Sequence, residues 1–519
     1  MKNLIPLFVV LVLPCAATAG HFDDAAASLT QYTKGRYAPK MDCSRLVSQT
    51  TTDYSVVSAR KVGNACRVAG IIPGEIRFEV SLPDDWNGRT MMTGNGGLAG
   101  QPPESEGAIA ARDQLLALNF VSVYSDNGHD NRVEPGARFA YRNLAKLADY
   151  GYRAVHLTQV MAEKLVRLYY GRPHRYSYFM GCSNGGRQAL MAAQRFPEDF
   201  DGILAGAPAN DFTGLKFSQA HRMKAIQSSD MTVEKVNTIG RVLLDQCDEL
   251  DGLKDGLLDD PRRCEFDPAS LPRCDDPRAS DCFTDRDIDA LVAFYAPVKV
   301  AGQTVYPAFP VGSEIAGPQR RIGVAPGWVP WVINPYGTPI LAALGSEFFR
   351  YIVFVEDQPE LEWTSVNFDT EPDNLAYTRD LLDAVDPDLT PFRDAGGKLL
   401  SAFGWADPDI NPISTIDYFE SVRETVGETD SFYRLYMVPG MFHCAGGPGP
   451  DNFDAVTPLI DWVERNRPPG PITAQHGDEA TGYTRPLCPY PARAVYDGTG
   501  DPRAATSFSC QRPSESPAR

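Results

Sequence analysis

The chain of 519 residues contains no CxxC pair, so neither a clustered zinc site nor a dithiol redox centre has its usual raw material. Beyond the first 13 residues there is no apolar run long enough to suggest a transmembrane helix. Basic residues are in the minority, 49 Lys and Arg against 67 Asp and Glu, and the resulting net charge of −18 argues against nucleic acid and against an anionic membrane surface as partners. Internal repeats and long low-complexity tracts are also missing, which excludes repeat arrays. What remains is a soluble globular chain whose 43% hydrophobic content fills one large core or two.

The amino terminus reads as an export signal. Met1-Lys2-Asn3 supplies a positive charge, Leu4 to Leu13 forms a short apolar stretch, and Ala17-Thr18-Ala19 fits a small-residue cleavage site, so residues 1–19 are assigned to a signal peptide and Gly20 to the first mature position. The apolar stretch is well short of the roughly 20 residues that span a bilayer. Pro14 before Cys15 argues against a lipidated cysteine. The expected destination is the periplasm or the medium, an oxidising setting in which disulfides persist.

Of 11 cysteines, Cys15 goes with the signal and ten remain, an even number suited to five disulfides. Sequence does not fix their connectivity. Local candidates are Cys43 with Cys66, Cys247 with Cys264, Cys274 with Cys282 and Cys488 with Cys510, which leaves Cys182 and Cys444. These two stand directly beside Ser183 and His443. A bond between them, with its span of roughly 4.4–6.8 Å between Cα atoms, would hold a candidate nucleophile near a candidate base.

Residues 75–82 alternate strictly, apolar at even positions, as in a half-buried strand. Asn119 to Tyr124, Tyr176 to Met180, Gly202 to Ala205, Lys398 to Phe403 and Tyr433 to Val438 read as short buried strands. Leu157, Met161, Leu165 and Leu168 share one helical face, and Phe453 to Trp462 forms another helical pattern. Strands alternating with helices imply an α/β sheet with helices on both faces. Between about Ala209 and Asp386 the rhythm breaks, then resumes. The expected layout is one α/β domain from 20–209 and 386–519, interrupted by an inserted domain over 210–385 that would sit over the site as a lid.

Gly181-Cys182-Ser183-Asn184-Gly185 matches the G-x-S-x-G nucleophile elbow, with a β-rich run leading in and Gly186 to Ala193 leading out as a helix. A serine of this kind needs a base and an acid on later strands, in the order Ser, acid, His. His443 follows the Tyr433 strand, whereas His476 lies in a polar loop. Asp407, in Gly404-Trp405-Ala406-Asp407-Pro408, stands just beyond the Lys398 strand, and Asp409 is its nearest rival. For the oxyanion hole, Asn184 offers one backbone N–H, and Gly97 or Gly96, in the Gly94-Asn95-Gly96-Gly97 turn, offers a second. Taken singly, each residue is as readily a turn aspartate, a surface histidine or an ordinary glycine turn.

Together, the Cys-Ser and His-Cys pairs with Asp407 between them resemble the tannase and feruloyl esterase family. The blocks EIRFEVSLPDDWNGR, SDNGHD, YFMGCSNGGRQALMAAQRFPEDFDGILAGAPA, CDELDGLKDGLLDD, GWADP, VPGMFHCAGGPG and TRPLCPYP carry the resemblance from about Cys43 to Cys510. It implies an α/β-hydrolase fold, Ser183, Asp407 and His443 as triad, Gly97 rather than Gly96 in the oxyanion hole, a Cys182–Cys444 disulfide and the four local pairs above. It also implies a structural Ca2+ site in the lid, held by Asp248, Asp251 and Asp255 with the carbonyls of Leu253 and Leu257. Three carboxylates in a tight Asp-Gly turn suit an oxygen-liganded cation, although the spacing is not that of an EF-hand. No organic cofactor is expected.

The implied activity is a secreted serine carboxylesterase acting on small esters of aromatic acids, feruloyl, hydroxycinnamoyl or galloyl, whether or not linked to plant polysaccharide or tannin. Terephthalate monoesters are an alternative substrate. A rival from another class is a calcium-stabilised binding protein on an inactive hydrolase fold, against which the complete triad argues. The lid aromatics Trp328, Trp331, Tyr336, Phe348, Phe349, Tyr351 and Trp363 offer faces for a ring, though such density also suits a lid core. Arg320 or Arg321 is a candidate partner for a substrate carboxylate.

Overall fold

A computed structural model describes residues 32–275, 281–477 and 482–513, so the expected export signal, cleavage site and chain end lie outside the described residues. Its centre is one nine-stranded sheet: β1 (Ser55–Val62), β2 (Ala65–Ile72), β3 (Ile76–Pro83), β4 (Arg89–Thr93), β5 (Val121–Ser125), β6 (Tyr176–Cys182), β7 (Gly202–Gly206), β8 (Lys398–Gly404) and β9 (Tyr433–Val438). The spatial order is β1-β2-β3-β5-β4-β6-β7-β8-β9. β1, β2, β3 and β5 pair antiparallel. From β5 to β9 every pairing is parallel, with Cys182 opposite Gly206 and Gly404 opposite Val438.

Alternation along the strands builds a core on each face. On one face Phe179, Ile203, Ala205 and Leu399 pack with α2 (Ala154–Tyr170), α3 (Asn184–Arg195) and α4 (Pro412–Val426). On the other, Tyr178, Met180, Leu204, Leu400 and Ala402 meet α1 (Glu106–Ala117) and α5 (Val456–Arg465). Parallel strands covered on both sides are apolar throughout, which is why β6, β7 and β8 read as continuous hydrophobic runs. The helix starts are marked by side-chain caps: Ser105 accepts from Ala108 N ahead of α1, and Asn411 accepts from Ile413 N ahead of α4.

Residues 207–397 leave the sheet between its neighbours β7 and β8 and add no strand to it. They are not irregular. Four long helices occur there, Phe212–Gln227, Val233–Cys247, Asp285–Tyr295 and Ile340–Tyr351, with hairpins at 298–306 and 316–326. A hydrophobic cluster that includes Val236, Leu243, Phe283, Phe294 and Trp328 is built entirely from this insertion. A second cluster joins it to the sheet through Phe212, Phe217, Phe348, Leu382, Phe403 and Cys444.

The five disulfides are Cys43–Cys66, Cys182–Cys444, Cys247–Cys264, Cys274–Cys282 and Cys488–Cys510. Among the described residues no helix is long and apolar enough to cross a membrane. One element differs from the sequence reading. The last helix starts at Val456 and not at Phe453, because Asn452–Phe453 pair instead with Ile472–Gln475. The hairpin of β1 and β2 carries no clean alternation, since Val57 and Val62 face solvent, and Phe508–Gln511 forms a further short strand.

Candidate active site

Ser183 sits at the turn from β6 into α3 with φ 65° and ψ −124°, a left-handed backbone that costs energy for any residue with a Cβ. Its neighbours hold it there. Ser183 N donates to Gly206 O at 3.0 Å, and Ser183 O accepts from Arg187 N and Ala209 N. The turn needs glycine: a Cβ on Gly181 would come within 2.5 Å of Gly185 O. Asn184 opens α3, so its N–H is one of the first-turn amides that a helix leaves without an internal acceptor.

The candidate acid and base come from the ends of β8 and β9. His443 Nδ1 lies 2.7 Å from Asp407 Oδ2, both side chains buried. A carboxylate only accepts, so the shared proton belongs on Nδ1 and leaves Nε2 with a lone pair. Asp407 is aimed by two backbone amides, Asp409 N at 2.8 Å and Ile410 N at 3.0 Å, both to Oδ1. The loops carrying acid and base touch, for a Cβ on Gly404 would meet Met441 O at 2.2 Å. Asp409, the rival acid, faces the insertion instead and accepts from Gln219 Nε2 at 2.7 Å. His476 packs against Tyr483 with the rings tilted by 35°.

The Cys182–Cys444 bond spans 6.2 Å between Cα atoms and ties the residue before Ser183 to the residue after His443. Cys444 is itself left-handed, φ 65°, so both ends of the bond adjoin tight turns.

The turn after β4 lies beside the elbow. Asn95 N donates to Gln188 Oε1 at 3.1 Å, Asn184 Nδ2 donates to Asn95 O at 3.1 Å, and Gly97 has φ 59° with its carbonyl accepting from Tyr150 Oη at 3.0 Å. Gly96 O is used by Ala99 N. Gln188, Arg187 and Tyr150 were not anticipated as site residues. The first two had a signal, one helical turn beyond Ser183, where their side chains return to the elbow.

Besides Gln219, the insertion reaches the site through further contacts. The Trp331 ring stands edge-on to the His443 ring, centroids 4.9 Å apart and planes at 74°. Arg222 is buried and donates to Pro408 O and Asp409 O, clamping the acid loop, while burial pushes its guanidinium down to about 10. The hairpin at 316–326 meets the loop after His443, where Gly447 N donates to Pro318 O. The other insertion aromatics divide. Trp328, Phe348 and Phe349 are buried packing residues, and Tyr336 is 88% exposed. Tyr351 packs edge-on to Tyr141, and Trp363 packs against the insertion's own cluster. Arg321 pairs with Glu106 on α1.

In the acidic turn, Asp248 accepts from Asp255 N and Gly256 N, and Asp251 accepts from Leu253 N. Asp255 pairs with Arg485. Burial, then the charges of Asp255 and Asp248, push Asp251 up to about 6, and Asp259, not anticipated, is pushed up to about 8 by burial and by Asp251 and Asp255. Among the described residues no three His, Cys, Asp or Glu side chains converge as metal ligands do. The chemistry of the donor set nevertheless fits a hard cation: burial and neighbouring carboxylates hold Asp251, Asp255 and Asp259 above the usual carboxylate range, and Leu253 and Leu257 lie in the same turn.

The profile of the family described as tannase and feruloyl esterase matches residues 59–511 of the chain. The chain is 32% identical to mono(2-hydroxyethyl) terephthalate hydrolase of Piscinibacter sakaiensis, over 88% of this chain and 87% of that protein. It is 30% identical to feruloyl esterase B of Aspergillus niger, over 83% of each. The crystal structure of feruloyl esterase B from Aspergillus oryzae superposes with a TM-score of 0.77 at 26% identity, covering 90% of this chain and 99% of that one.

Proposed function

Because the chain belongs to the tannase and feruloyl esterase family, we propose that it is an exported serine esterase that cleaves small esters of aromatic acids. It is a carboxylic ester hydrolase. The observation that carries the reading is the buried His443–Asp407 pair tied by a disulfide to an elbow serine. Ser183 Oγ attacks the ester carbonyl while His443 Nε2 takes its proton, and the oxyanion is held by Asn184 N–H and Gly97 N–H. The carbonyl–oxygen bond to the alcohol breaks as His443 returns the proton to it. Water, deprotonated by His443 Nε2, then attacks the acyl carbonyl, the bond to Ser183 Oγ breaks as His443 returns the proton to Oγ, and the acid leaves.

Residues 210–385 serve as the lid, and the choice among feruloyl, galloyl and terephthalate esters lies there. The 32% identity with the terephthalate monoester hydrolase favours that substrate as the second reading. Five disulfides support export to an oxidising compartment. Ca2+ is assigned to the acidic turn, held by Asp248, Asp251, Asp255 and the carbonyls of Leu253 and Leu257, where it would neutralise the crowded carboxylates and brace the lid. Its test is melting temperature after chelation and after Ca2+ or Mg2+ is restored. A rise with Ca2+ alone is expected, and no change would remove the site.

Turnover of methyl ferulate, methyl gallate and mono(2-hydroxyethyl) terephthalate by the purified enzyme tests the substrate class. One preferred ester is expected, with the initial nitrophenol burst from a nitrophenyl ester abolished in Ser183→Ala. Equal, feeble rates on all three would overturn the aromatic-ester reading, and a burst that survives Ser183→Ala would overturn the nucleophile.

A further inference from the structure

Arg187 is a fully buried cation that stands one helical turn after Ser183 and has no carboxylate among its hydrogen-bond acceptors. Its Nε donates to Asn184 Oδ1 at 2.8 Å, one terminal nitrogen donates to Gly151 O at 2.9 Å and Leu382 O at 3.1 Å, and the other donates to Tyr150 O at 3.0 Å. The guanidinium also lies over the rings of Tyr150 and Phe212, 4.9 and 5.3 Å from their centroids. Burying an unpaired charge is expensive, and neutral carbonyls and ring faces offset that cost only in part. A neutral side chain could fill the space more cheaply, so the contacts of Arg187 point to what it holds in place.

They lead to both halves of the oxyanion hole. Asn184, whose side chain accepts from Arg187, donates in turn to Asn95 O, and its own backbone N–H is the first donor. Tyr150, whose carbonyl accepts from Arg187, sends its hydroxyl to Gly97 O, on the residue that carries the second donor. Of the two remaining acceptors, Gly151 O adjoins Tyr150 in the chain, and Leu382 O lies where the insertion returns toward β8. We propose that Arg187 is the positioning residue of the oxyanion hole: one planar fork sets Asn184 and Gly97 at a fixed separation and registers both against the returning end of the insertion. Only a guanidinium donates in these directions at once, since an ammonium on a flexible stem is a point donor.

The proposal rests on Asn184 and Gly97 as the oxyanion donors. Two variants test it, Arg187→Lys, which keeps the charge and loses the fork, and Tyr150→Phe, which removes only the hydroxyl that meets Gly97. The readouts are kcat and KM on a nitrophenyl ester, inhibition by phenylboronic acid, whose serine adduct places an oxygen in the oxyanion hole, and inhibition by ferulic acid as a ground-state probe. Losing one oxyanion donor typically costs about 10²–10³ in kcat, so a misplaced donor should cost roughly 10–100-fold. Boronate inhibition should weaken by a similar factor, KM and ferulate inhibition should change less than about twofold, and the double variant should fall short of the product of the two single effects.

Should Arg187→Lys fail to fold, Tyr150→Phe alone carries the test. If boronate inhibition requires Ser183 yet both kcat and boronate affinity are unchanged in folded variants, the positioning role is overturned while the serine mechanism stands. If the wild-type enzyme shows neither a burst nor boronate inhibition, the serine reading falls and the proposal falls with it.

Discussion

The sheet and the insertion each have an apolar core, but they contribute differently to the site. Strands β6, β7 and β8 pack apolar side chains on both faces and end in the loops that carry Ser183 and Asp407. The insertion buries polar groups as well: on the helix Phe212–Gln227 the buried set includes Thr213, Lys216, Ser218, Gln219 and Arg222. It supplies none of the triad. Its buried polar side chains instead grip the acid loop through Arg222 and Gln219, and Trp331 leans on His443. On the proposed mechanism the sheet would therefore carry the reaction, and the insertion would set the surroundings in which a substrate meets it.

The sharpest way to break that division is to cut the covalent tie inside the sheet. Cys182→Ala with Cys444→Ala should lower kcat by about 10²-fold on folded protein, because a displacement on the order of 1 Å at the reacting groups costs that much. The melting temperature should fall too, since the bond closes a loop of 262 residues. Unchanged turnover in a folded variant would reduce the bond to a scaffold role.

Trp331→Ala probes the insertion's side. An aromatic edge contact is worth roughly 0.5–1.5 kcal/mol, so kcat/KM on an aromatic ester should fall about 2–10-fold, and less on nitrophenyl acetate. Equal losses on both esters would place Trp331 with the triad and blur the distinction.

The smallest effect is expected where the insertion leaves and rejoins the sheet. Asp211 and Asp383 meet there, Asp383 accepting from Thr213 N and Oγ1 and Asp211 from Gly214 N. Burial holds both carboxyls above their usual range, the charge of Asp211 adds to the rise in Asp383, and Arg379 opposes it. The folded state thus binds protons more tightly than the unfolded chain. That stability is present in full below the ordinary carboxylate value of 3.8 and is lost as pH rises through the raised native values. Asp211→Asn, which caps its helix equally well, should flatten the decline and raise stability at pH 8 relative to pH 5 by on the order of 1 kcal/mol. Parallel denaturation curves at both pH values would count against the pair.

Legibility from sequence follows the same line. β6, its elbow and α3 could be read because local pattern and tertiary environment agree there, and Asp407 could be placed because a strand-end turn is a local feature. The helix Phe212–Gln227 could not, since polar side chains buried against the acid loop erase the amphipathic stripe that marks a helix. Arg222 and Gln219 look like solvent-facing residues until Pro408 and Asp409 are seen to be their acceptors. Trp331 was one of seven insertion aromatics named as faces for a ring, and nothing in their spacing singled out the one beside His443. Asp259 was passed over because its neighbours already formed a complete Asp-Gly turn.

The insertion's position has a consequence for a nicked chain. It lies wholly between Ser183 and His443, Cys43–Cys66 closes before it and Cys488–Cys510 after it, and the other two short disulfides lie inside it. A single proteolytic cut in its 355–373 stretch would leave two fragments, one bearing the nucleophile and the other the acid and base. Among the described residues the only covalent link between them would be Cys182–Cys444, so the candidate catalytic site itself would become the clasp of a two-chain enzyme.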